Sequence, residues 1–326
     1  MVTFSAHKTL ILLSAALMFG GAADGATKKS SSSKKATKPK VVAKPAPKPT
    51  PPPPPPLAPG ELPLVARSAI LLDAKSGDVL YEKNPDVIEY PASATKILTA
   101  LIVIEQGELD RKVTIQPEDT KVEASALYFK PGEEYVRKDL LFALLLKSAN
   151  DVALSLARDN AGSVEAFSKK MNRRAEALGA VNSHFTNPHG LHDPHHFTTA
   201  RDLATIARAA MQQPLFRQIV GTPEMGMLKG AEWVLIKNHN KLLSRLPGCT
   251  GVKTGFTNAA QQVIVSAALR AGQEAISVIL HSQGEAKWSD SMTLIEHGFS
   301  KLNVPVTPPP PAVGKPEPAA QSAGEK

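Results

Sequence analysis

The stretch that decides the fold is Arg67-Ser-Ala-Ile-Leu-Leu-Asp-Ala-Lys-Ser-Gly-Asp-Val-Leu-Tyr-Glu82. Its two ends, residues 67–73 and 78–82, are rich in strand-forming side chains, and a turn-forming tetrad separates them, so the stretch predicts an antiparallel hairpin. A second pair of strands is predicted near the other end of the globular sequence, at 262–269 and 275–280. Strands at both ends predict one antiparallel sheet to which both ends of the chain contribute.

The sequence between these strand pairs is mainly helical in pattern. The helix predicted after Pro91 is apolar on most of its sides, which indicates that it is buried. The other predicted helices span 139–146, a segment beginning near 151, 164–178, 199–211, and 285–299 with Gly298 as its end. The predicted fold class is therefore α/β of the α+β type, an antiparallel sheet flanked by helices with an inserted helical subdomain.

Residues 1–26 are predicted to be an export signal. His7 and Lys8 form a basic start, the short apolar run 10–19 follows, and small residues come next. Because a membrane-spanning helix needs roughly 20 apolar residues, we expect a cleaved signal rather than an anchor. The expected location is the periplasm or cell envelope.

Two segments have compositions that cannot pack a core. Residues 27–61 are rich in Lys, Pro and Ser and are predicted to be a linker, and residues 304–326 are predicted to be a Pro-rich tail. Residues 62–303 are then the single globular domain.

The basic charge of the chain belongs to its N-terminal segment. Residues 1–61 carry nine Lys and only Asp24 and Glu61 as acids, so of the net charge of +8 only +1 belongs to the remainder. A nucleic-acid partner is therefore not expected. Weak attraction of this N-terminal segment to membranes or anionic envelope polymers is expected instead. The single cysteine, Cys249, cannot form an internal disulfide and is expected to be a packing residue.

Three short motifs occur in order along the domain: Ser93-Ala-Thr-Lys96, Ser148-Ala-Asn150 and Lys253-Thr-Gly255. Ser-x-x-Lys and Ser-x-Asn are common alone and Lys-Thr-Gly is moderately rare, but between residues 62 and 303 Ser-x-x-Lys occurs only at Ser93. The ordered set supplies a hydroxyl nucleophile, an amine to activate it, and a cation beside a strand. That combination is typical of acyl transfer through a serine ester, with neither a cofactor nor a metal.

The first motif places a base beside a weak nucleophile. Ser93 and Lys96 are three residues apart at the start of a helix, so both lie on one face. Apolar neighbours are expected to lower the pKa of the Lys96 amine, which would leave a neutral fraction able to accept the serine proton. An ordinary surface Ser and Lys is the alternative for this motif alone.

The other two motifs are predicted to complete the site. Ser148 could relay a proton to the leaving group, and Asn150 could bind the substrate amide and hold Lys96, although helix capping is the alternative for both. Lys253 and Thr254 offer a cation and a hydroxyl to a carboxylate, and Gly255 leaves space for a peptide backbone.

Five histidines between residues 184 and 196 support a rival hypothesis, a zinc hydrolase. Two or three of them with Asp193 could bind zinc. The segment contains Pro188, Gly190 and Pro194 and has no His-Glu-x-x-His helix, so we expect no metal site.

With these residues, the chain resembles serine D-Ala-D-Ala carboxypeptidases, the low-molecular-mass penicillin-binding proteins. The resemblance covers residues 62–300. It rests on the three motifs and on Tyr81-Glu-Lys-Asn84, Pro91-Ala-Ser93, Lys96-Ile-Leu-Thr-Ala100, Pro131-Gly-Glu133, 144–151, Asn187-Pro-His-Gly-Leu191, Thr199-Ala-Arg-Asp-Leu203 and 251–257.

The resemblance implies a β-lactamase/transpeptidase-like fold and a role for each motif residue. Ser93 would be the acyl-ester nucleophile, Lys96 the proton acceptor and Ser148 a proton-transfer residue. Lys253 and Thr254 would bind the terminal carboxylate. His196 would lie in the loop beside the site, and the backbone N–H groups of Ser93 and Phe256 would form the oxyanion hole.

The implied activity is removal of the terminal D-alanine from peptidoglycan stem peptides, with β-lactams as inhibitors. A D,D-endopeptidase that cuts cross-links with the same residues is the alternative within this class, and an inactive wall-binding module is the alternative outside it. Thr250 and Gln261 depart from the family pattern and are expected to influence specificity. A class A β-lactamase is disfavoured because no Glu-x-x-Leu-Asn segment is present.

Overall fold

A computed structural model describes residues 58–305 of the chain. The predicted export signal lies outside these residues, as do most of the predicted linker and tail. Nine strands occur in the described part: β1 Ser68–Asp73, β2 Val79–Lys83, β3 Lys112–Thr114, β4 Glu134–Val136, β5 Glu224–Lys229, β6 Glu232–Lys237, β7 Cys249–Thr257, β8 Gln261–Arg270 and β9 Gln273–Ser282.

Eight α-helices accompany these strands in the same residues. They are α1 Lys96–Gln106, α2 Arg137–Phe142, α3 Asn150–Ala161, α4 Val164–Ala177, α5 Ala200–Met211, α6 Pro214–Val220, α7 Leu242–Arg245 and α8 Ala286–Lys301. A 3₁₀ turn, Ala92–Thr95, leads directly into α1, and a π-helical turn, Ala143–Lys147, continues α2.

Five strands form one antiparallel sheet in the order β2-β1-β9-β8-β7. The N-terminal strand β1 therefore pairs directly with β9 near the C-terminus, as the strand pattern at the two chain ends predicts. The hairpin of β1 and β2 is confirmed, and so is the pairing of β8 with β9. Strand β7 lies at one edge of the sheet, a position that matters for the site.

Both faces of the sheet are covered, which explains the continuous apolar run in β1. Ile70 and Leu72 point into the larger core shared with the helical region, whereas Leu71 between them points into the core beneath α8. Successive side chains of a strand point to opposite faces, so a strand buried on both sides is apolar throughout. The helix α1 is buried along nearly its whole length in the larger core.

The end of the last helix differs from the prediction. Gly298 does not end α8, which continues to Lys301. A Cβ atom at Gly298 would lie 2.8 Å from Cδ2 of Leu71, so the glycine permits close approach of the helix to the sheet.

The hairpin of β5 and β6 and the short helices α6 and α7 were not predicted from the sequence. In residues 58–305, no helix combines the length and the apolar character needed to cross a membrane.

Candidate active site

The three motifs meet at a cavity of about 280 Å³. It is lined by Ser93, Ala124, Ser125, Ser148, His239, Thr254, Gly255, Phe256 and Lys287. A larger cavity of about 340 Å³ lies between α1 and α4, but its lining holds the Glu105–Arg174 ion pair and no hydroxyl or thiol. Chemistry rather than size therefore identifies the candidate site.

Ser93 is held in the 3₁₀ turn directly beneath strand β7. A Cβ atom at Gly255 would lie 2.9 Å from the backbone nitrogen of Ser93 and 3.1 Å from Cβ of Ala92. Only glycine allows the edge strand to pass this close to the turn. The serine and the backbone of β7 thus form adjacent walls of one cavity.

Lys96 is completely buried behind Ser93, with three partners for its amine. Its Nζ lies 3.1 Å from Oγ of Ser93, and it donates to Oδ1 of Asn150 and to the backbone carbonyl of His189, each at 2.7 Å. A neutral amine has two N–H donors and one lone pair. The two carbonyl-type oxygens match the two donors, which leaves the lone pair for the hydroxyl proton of Ser93.

Electrostatics favour the neutral form of this amine. Burial lowers the pKa of Lys96 well below its usual value, the positive charge of Lys253 lowers it further, and Asp151 opposes this decrease. The pair therefore has both the geometry and the protonation state of a nucleophile with its base.

Asn150 and Asp151 support the opposite wall of the cavity, the loop 123–128. The Asn150 side-chain amide donates to the carbonyl of Glu123 at 3.0 Å, and its backbone N–H donates to the carbonyl of Ser125 at 2.7 Å. The Asp151 carboxylate accepts backbone N–H bonds from Leu127 and Tyr128. Neither Ser148 nor Asn150 caps α3 in the way that the sequence-based alternative supposed, since the N-cap residue is Ala149 and the Ser148 hydroxyl has no hydrogen-bond partner among the described residues.

Ser148 is presented to the cavity by an unusual backbone. It ends the π-helical turn in the left-handed conformation, with φ of 63°. Its hydroxyl is buried and has no hydrogen-bond partner among the described residues. Because buried hydroxyls are normally satisfied, this one is available to a molecule bound in the cavity.

The third motif lies along edge strand β7. Thr254, Gly255 and Phe256 line the cavity, and Lys253 is buried beside them with its Nζ donating to the carbonyl of Thr254 at 2.9 Å. Burial, followed by the charge of Lys287, lowers the pKa of Lys253 to about 7.

The loop Asn187–Leu191 forms the back of the site. Besides binding Lys96, it accepts a hydrogen bond from Oγ1 of Thr99 at the carbonyl of Pro188, at 2.7 Å. Gly190, with φ of +85°, contacts the nucleophile turn so closely that a Cβ atom there would lie 1.8 Å from the carbonyl oxygen of Ala92. The loop and the turn are thus packed as one unit.

The structure places His196 behind the site rather than in the cavity lining. Its Nδ1 accepts the N–H of Thr186 at 3.1 Å, so Nε2 carries the proton and donates to Oγ1 of Thr95 at 2.8 Å. Burial lowers the pKa of His196 to about 4, which keeps the ring neutral. Its contact with the nucleophile turn is through Thr95.

The other histidines of the cluster are dispersed. His184 bonds to the carbonyl of His195, and His192 packs edge-on against Tyr90. No group of three His, Cys, Asp or Glu side chains suited to a metal occurs within residues 58–305.

Two titratable residues of the lining were not predicted from the sequence. His239 follows β6, and the pKa of its ring is lowered to about 4 by its burial and by the charges of Lys253, Lys147 and Lys287. Lys287, at the start of α8, donates to the side chain of Gln262 and lies 4.9 Å from the ring of Trp288. Neither residue belongs to a local motif, so no sequence signal could have found them.

Thr250, one of the two departures from the family pattern, points away from the cavity lining. Its hydroxyl donates to Glu274 at 3.1 Å, and Glu274 pairs with Arg217 through two bonds of 2.6 and 2.8 Å. Gln261 donates to the carbonyl of Asn258 at 2.5 Å and is also absent from the lining.

The geometry of the site agrees with the proteins to which the sequence of this chain is similar. A family of proteins described as D-alanyl-D-alanine carboxypeptidases matches residues 56–284. The D-alanyl-D-alanine carboxypeptidase DacB2 of Mycobacterium tuberculosis is 37% identical over 241 residues, which are 72% of this chain and 82% of that protein. A D-alanyl-D-alanine endopeptidase of Pseudomonas aeruginosa is 36% identical over 213 residues, 64% of this chain and 68% of that protein.

Solved structures show the same relationship. The crystal structure of a D-alanyl-D-alanine carboxypeptidase from Mycobacterium tuberculosis has a TM-score of 0.71 and 36% identity, covering 76% of this chain and 96% of that one. The Streptomyces K15 DD-transpeptidase has a TM-score of 0.69 and 33% identity, covering 73% and 98%.

Proposed function

The chain belongs to the D-alanyl-D-alanine carboxypeptidase family, and from this premise we propose that it removes the terminal D-alanine of peptidoglycan stem peptides through an ester on Ser93. The observation that carries the proposal is the buried Lys96 amine, 3.1 Å from the Ser93 hydroxyl and held by Asn150 and His189. The arrangement is that of a serine activated by a neutral lysine.

In the first step, Oγ of Ser93 attacks the carbonyl carbon of the penultimate D-alanine and its proton passes to Nζ of Lys96. The developing oxyanion is held by the backbone N–H groups of Ser93 and Phe256, a role supported by the close passage of β7 over the nucleophile turn at Gly255. The amide bond then breaks as Ser148 donates its proton to the departing amine and takes the proton of the Lys96 ammonium in its place, which restores the neutral lysine. Water hydrolyses the ester and regenerates the serine.

The substrate lies along the free edge of β7 as an added strand, the usual way in which an extended peptide binds a sheet edge. Lys253 and Thr254 bind its terminal carboxylate, and Lys287 adds a second positive charge to the same cavity. Asn150 holds both Lys96 and the loop at Glu123, and its side-chain amide is proposed to bind the substrate amide as well. His196 supports the turn through Thr95.

The enzyme acts in the cell envelope, where peptidoglycan is found. The support is the predicted export signal together with the family. β-Lactams acylate Ser93 in place of the peptide, because they present a carbonyl, strained by the four-membered ring, and a carboxylate to the residues that bind the scissile amide and terminal carboxylate of the peptide.

Cleavage of cross-links is the second candidate function. It is supported by relatives named D-alanyl-D-alanine endopeptidase, one of them 36% identical to this chain. The two functions differ in whether the amine that leaves is a free D-alanine or the side chain of a neighbouring stem.

The experiment that tests the proposal is intact mass after incubation with benzylpenicillin, on the wild type and on Ser93→Ala. We expect a one-to-one adduct on the wild type alone. An adduct on Ser93→Ala, or none on a folded wild type, would contradict the serine mechanism, and the latter would favour an inactive wall-binding module. Incubation with a pentapeptide and with a cross-linked dimer, followed by product analysis, then separates the two candidate activities.

A further inference from the structure

The outer face of the β5–β6 hairpin carries an exposed apolar patch that the proposed reaction does not use. Its inner face packs into the main core through Met227 and Ile236. On the outer face, Leu228 is 51% exposed, Trp233 76% and Leu235 56%. Contiguous apolar side chains left in water usually mark a binding surface.

Trp233 is held in place rather than loosely attached. Gly226 lies diagonally across the hairpin from Trp233, since Gly226 pairs with Leu235 and Leu228 pairs with Trp233. A Cβ atom at Gly226 would lie 3.3 Å from the indole ring, so the ring rests on the bare backbone at this position. One face of the indole is thus supported by the strand and the other is open to solvent.

The patch continues towards the candidate active site. Side chains of β6 alternate between its faces, so Trp233, Leu235 and Lys237 share the outer face, and His239 in the cavity lining follows two residues later. His239 is the sixth residue after Trp233, a span of at most roughly 20 Å in an extended chain. A stem peptide of five residues in the same conformation has a length of about 17 Å.

We propose that this face, the Trp233 platform formed by Gly226, Leu228, Trp233 and Leu235, binds the amino-sugar rings of the glycan strand that carries the stem peptide. The proposal rests on the proposed function, because it places the far end of the same substrate. The two lengths are comparable, so a peptide with its D-alanyl end at Ser93 is long enough for its sugar-bearing end to reach this hairpin.

The chemistry of the platform suits a sugar ring. The C–H face of a pyranose is flat and apolar and stacks on an open indole, which is a large rigid surface that loses little entropy on binding. Glu224 and Lys237 face each other at the rim and offer both an acceptor and a donor for hydroxyl and acetamido groups. Their charges balance, so an anionic lipid surface has no cationic cluster to bind on this face.

Fluorescence gives a direct test, because the chain has two tryptophans and Trp288 is only 4% exposed. Full-length Ser93→Ala protein is used to prevent turnover, with iodide as the quencher. We expect the peptidoglycan disaccharide and the disaccharide-pentapeptide to protect the emission, and the pentapeptide alone not to. Trp233→Phe serves as the blank. No protection by either sugar-bearing probe, or equal protection by the sugar-free peptide, would overturn the proposal.

Kinetics give an independent test on the otherwise unchanged enzyme. The quantity measured is the ratio of kcat/KM for the disaccharide-pentapeptide to kcat/KM for the pentapeptide. Trp233→Ala is expected to lower this ratio about fivefold, the factor that corresponds to about 1 kcal/mol of stacking. Trp233→Phe should lower the ratio less than Trp233→Ala does, because a phenyl ring still offers a face for stacking. Val181→Ala, which removes an exposed apolar side chain outside the hairpin, is the matched control.

The outcomes separate the platform from the reaction. If the wild type hydrolyses both substrates and the ratio is unaffected by Trp233→Ala, the platform is wrong and the proposed function stands. If it hydrolyses neither and forms no penicillin adduct, the proposed function fails. Protection without sugar that rises with protein concentration would assign the face to a second copy. Protection that disappears on removing residues 27–57 or 306–326 would assign it to a Pro-rich segment of the chain, and either result overturns the sugar site.

Discussion

The amine of Lys96 is stable in the core because its surroundings suit an uncharged group. Burying an unpaired ammonium costs several kcal/mol, and such a group usually releases its proton instead. The Asp151 carboxylate, which could have kept the lysine charged, is occupied by the backbone N–H groups of Leu127 and Tyr128. The site therefore keeps a neutral amine beside Ser93, and Lys96 forms no ion pair with Asp151.

Asn150→Asp tests this protonation balance. It replaces the Oδ1 atom 2.7 Å from Nζ with a carboxylate oxygen, which raises the pKa of Lys96 and keeps it protonated. We expect the rate of benzylpenicillin acylation at pH 7 to fall at least about tenfold, because an ammonium paired with a carboxylate cannot accept the serine proton, and a pKa about one above the working pH leaves roughly a tenth of the amine neutral. The rate should recover partly as pH rises.

Asn303→Asp is the control, because it adds the same charge outside the cavity lining. Acylation of Asn150→Asp at the wild-type rate at pH 7 would mean that Lys96 does not act as a neutral base.

The pKa of Lys253 predicts an alkaline limit to activity. With a pKa of about 7, its amine is charged and attracts a carboxylate below that pH, and loses this charge above it. The value of kcat/KM, which reports the free enzyme, should therefore decline above about pH 7. Lys253→Arg stays charged to much higher pH, so its profile should lack this decline.

His239→Gln serves as the comparison for this profile, because it removes a group whose pKa is about 4 and leaves Lys253 in place. A decline that persists unchanged in Lys253→Arg would assign the alkaline limit to another residue.

At the scale of single residues, the sequence predicts site residues that belong to a short motif. It does not predict residues that only the tertiary fold brings to the site. Ser93 and Lys96 share a helical turn, so their proximity follows from spacing. His239 and Lys287 reach the cavity from a loop and a distant helix with no local pattern. Thr250 departs from the family pattern, but its hydroxyl bonds to Glu274 outside the cavity lining, and its influence on specificity stays a prediction.

Among the larger elements, the loop Asn187–Leu191 acts as a rigid support for the nucleophile turn. Gly190→Ala tests this role, because its Cβ would lie 1.8 Å from the carbonyl oxygen of Ala92. The loop must then shift and withdraw the His189 carbonyl from Lys96. A displacement of about 1 Å near the reacting atoms reduces rates roughly hundredfold, and we expect a loss of that order in acylation.

Gly179→Ala is the matched control for the loop variant. Its φ of +89° is close to the +85° of Gly190, but no atom lies within 4 Å of the added Cβ. Gly179→Ala should lose about 1 kcal/mol of stability from the left-handed backbone alone, and Gly190→Ala should lose more because its Cβ also overlaps the Ala92 carbonyl, as measured by urea unfolding. Equal acylation by the two variants would show that the loop does not support the site.

The predictable elements are those with a clear period. The amphipathic α5 begins where the sequence predicts it, capped by Oγ1 of Thr199, which accepts the N–H of Asp202. The β5–β6 hairpin was missed because its outer face carries Leu228 and Trp233 where polar residues are usual, so no alternation is visible. The π-helical turn before Ser148 was also missed, since its ordinary helical sequence contains no signal for the wider turn.

For the molecule as a whole, the insertion of β9 between β1 and β8 makes the fold depend on the two elements made last, β9 and α8. A chain ending at Gly272 lacks β9 and α8, and so loses the buried side chains Trp288, Leu294, Ile295 and Phe299. Each such side chain contributes about 1.5–3 kcal/mol, a total comparable with the roughly 5–15 kcal/mol that stabilises a typical domain.

We therefore expect the chain ending at Gly272 to lose cooperative thermal unfolding, observed by circular dichroism. A chain ending at residue 305 is the control and should unfold cooperatively at the same temperature as the full-length protein. A cooperative transition in the shorter chain would mean that the helical region folds on its own.

The same strand order also sets the moment at which the enzyme becomes active as it is made. Ser93 and Lys96 leave the ribosome early. Strand β1 cannot pair with β9 until β9 has been synthesised, and the first residue of β9 is Gln273. At about 5–20 residues per second, that interval is on the order of ten seconds or more. Throughout it, the nascent polypeptide carries its nucleophile without the complete sheet that holds β7 beside Ser93, so the order of synthesis keeps the catalytic residues unassembled until β9 has been made.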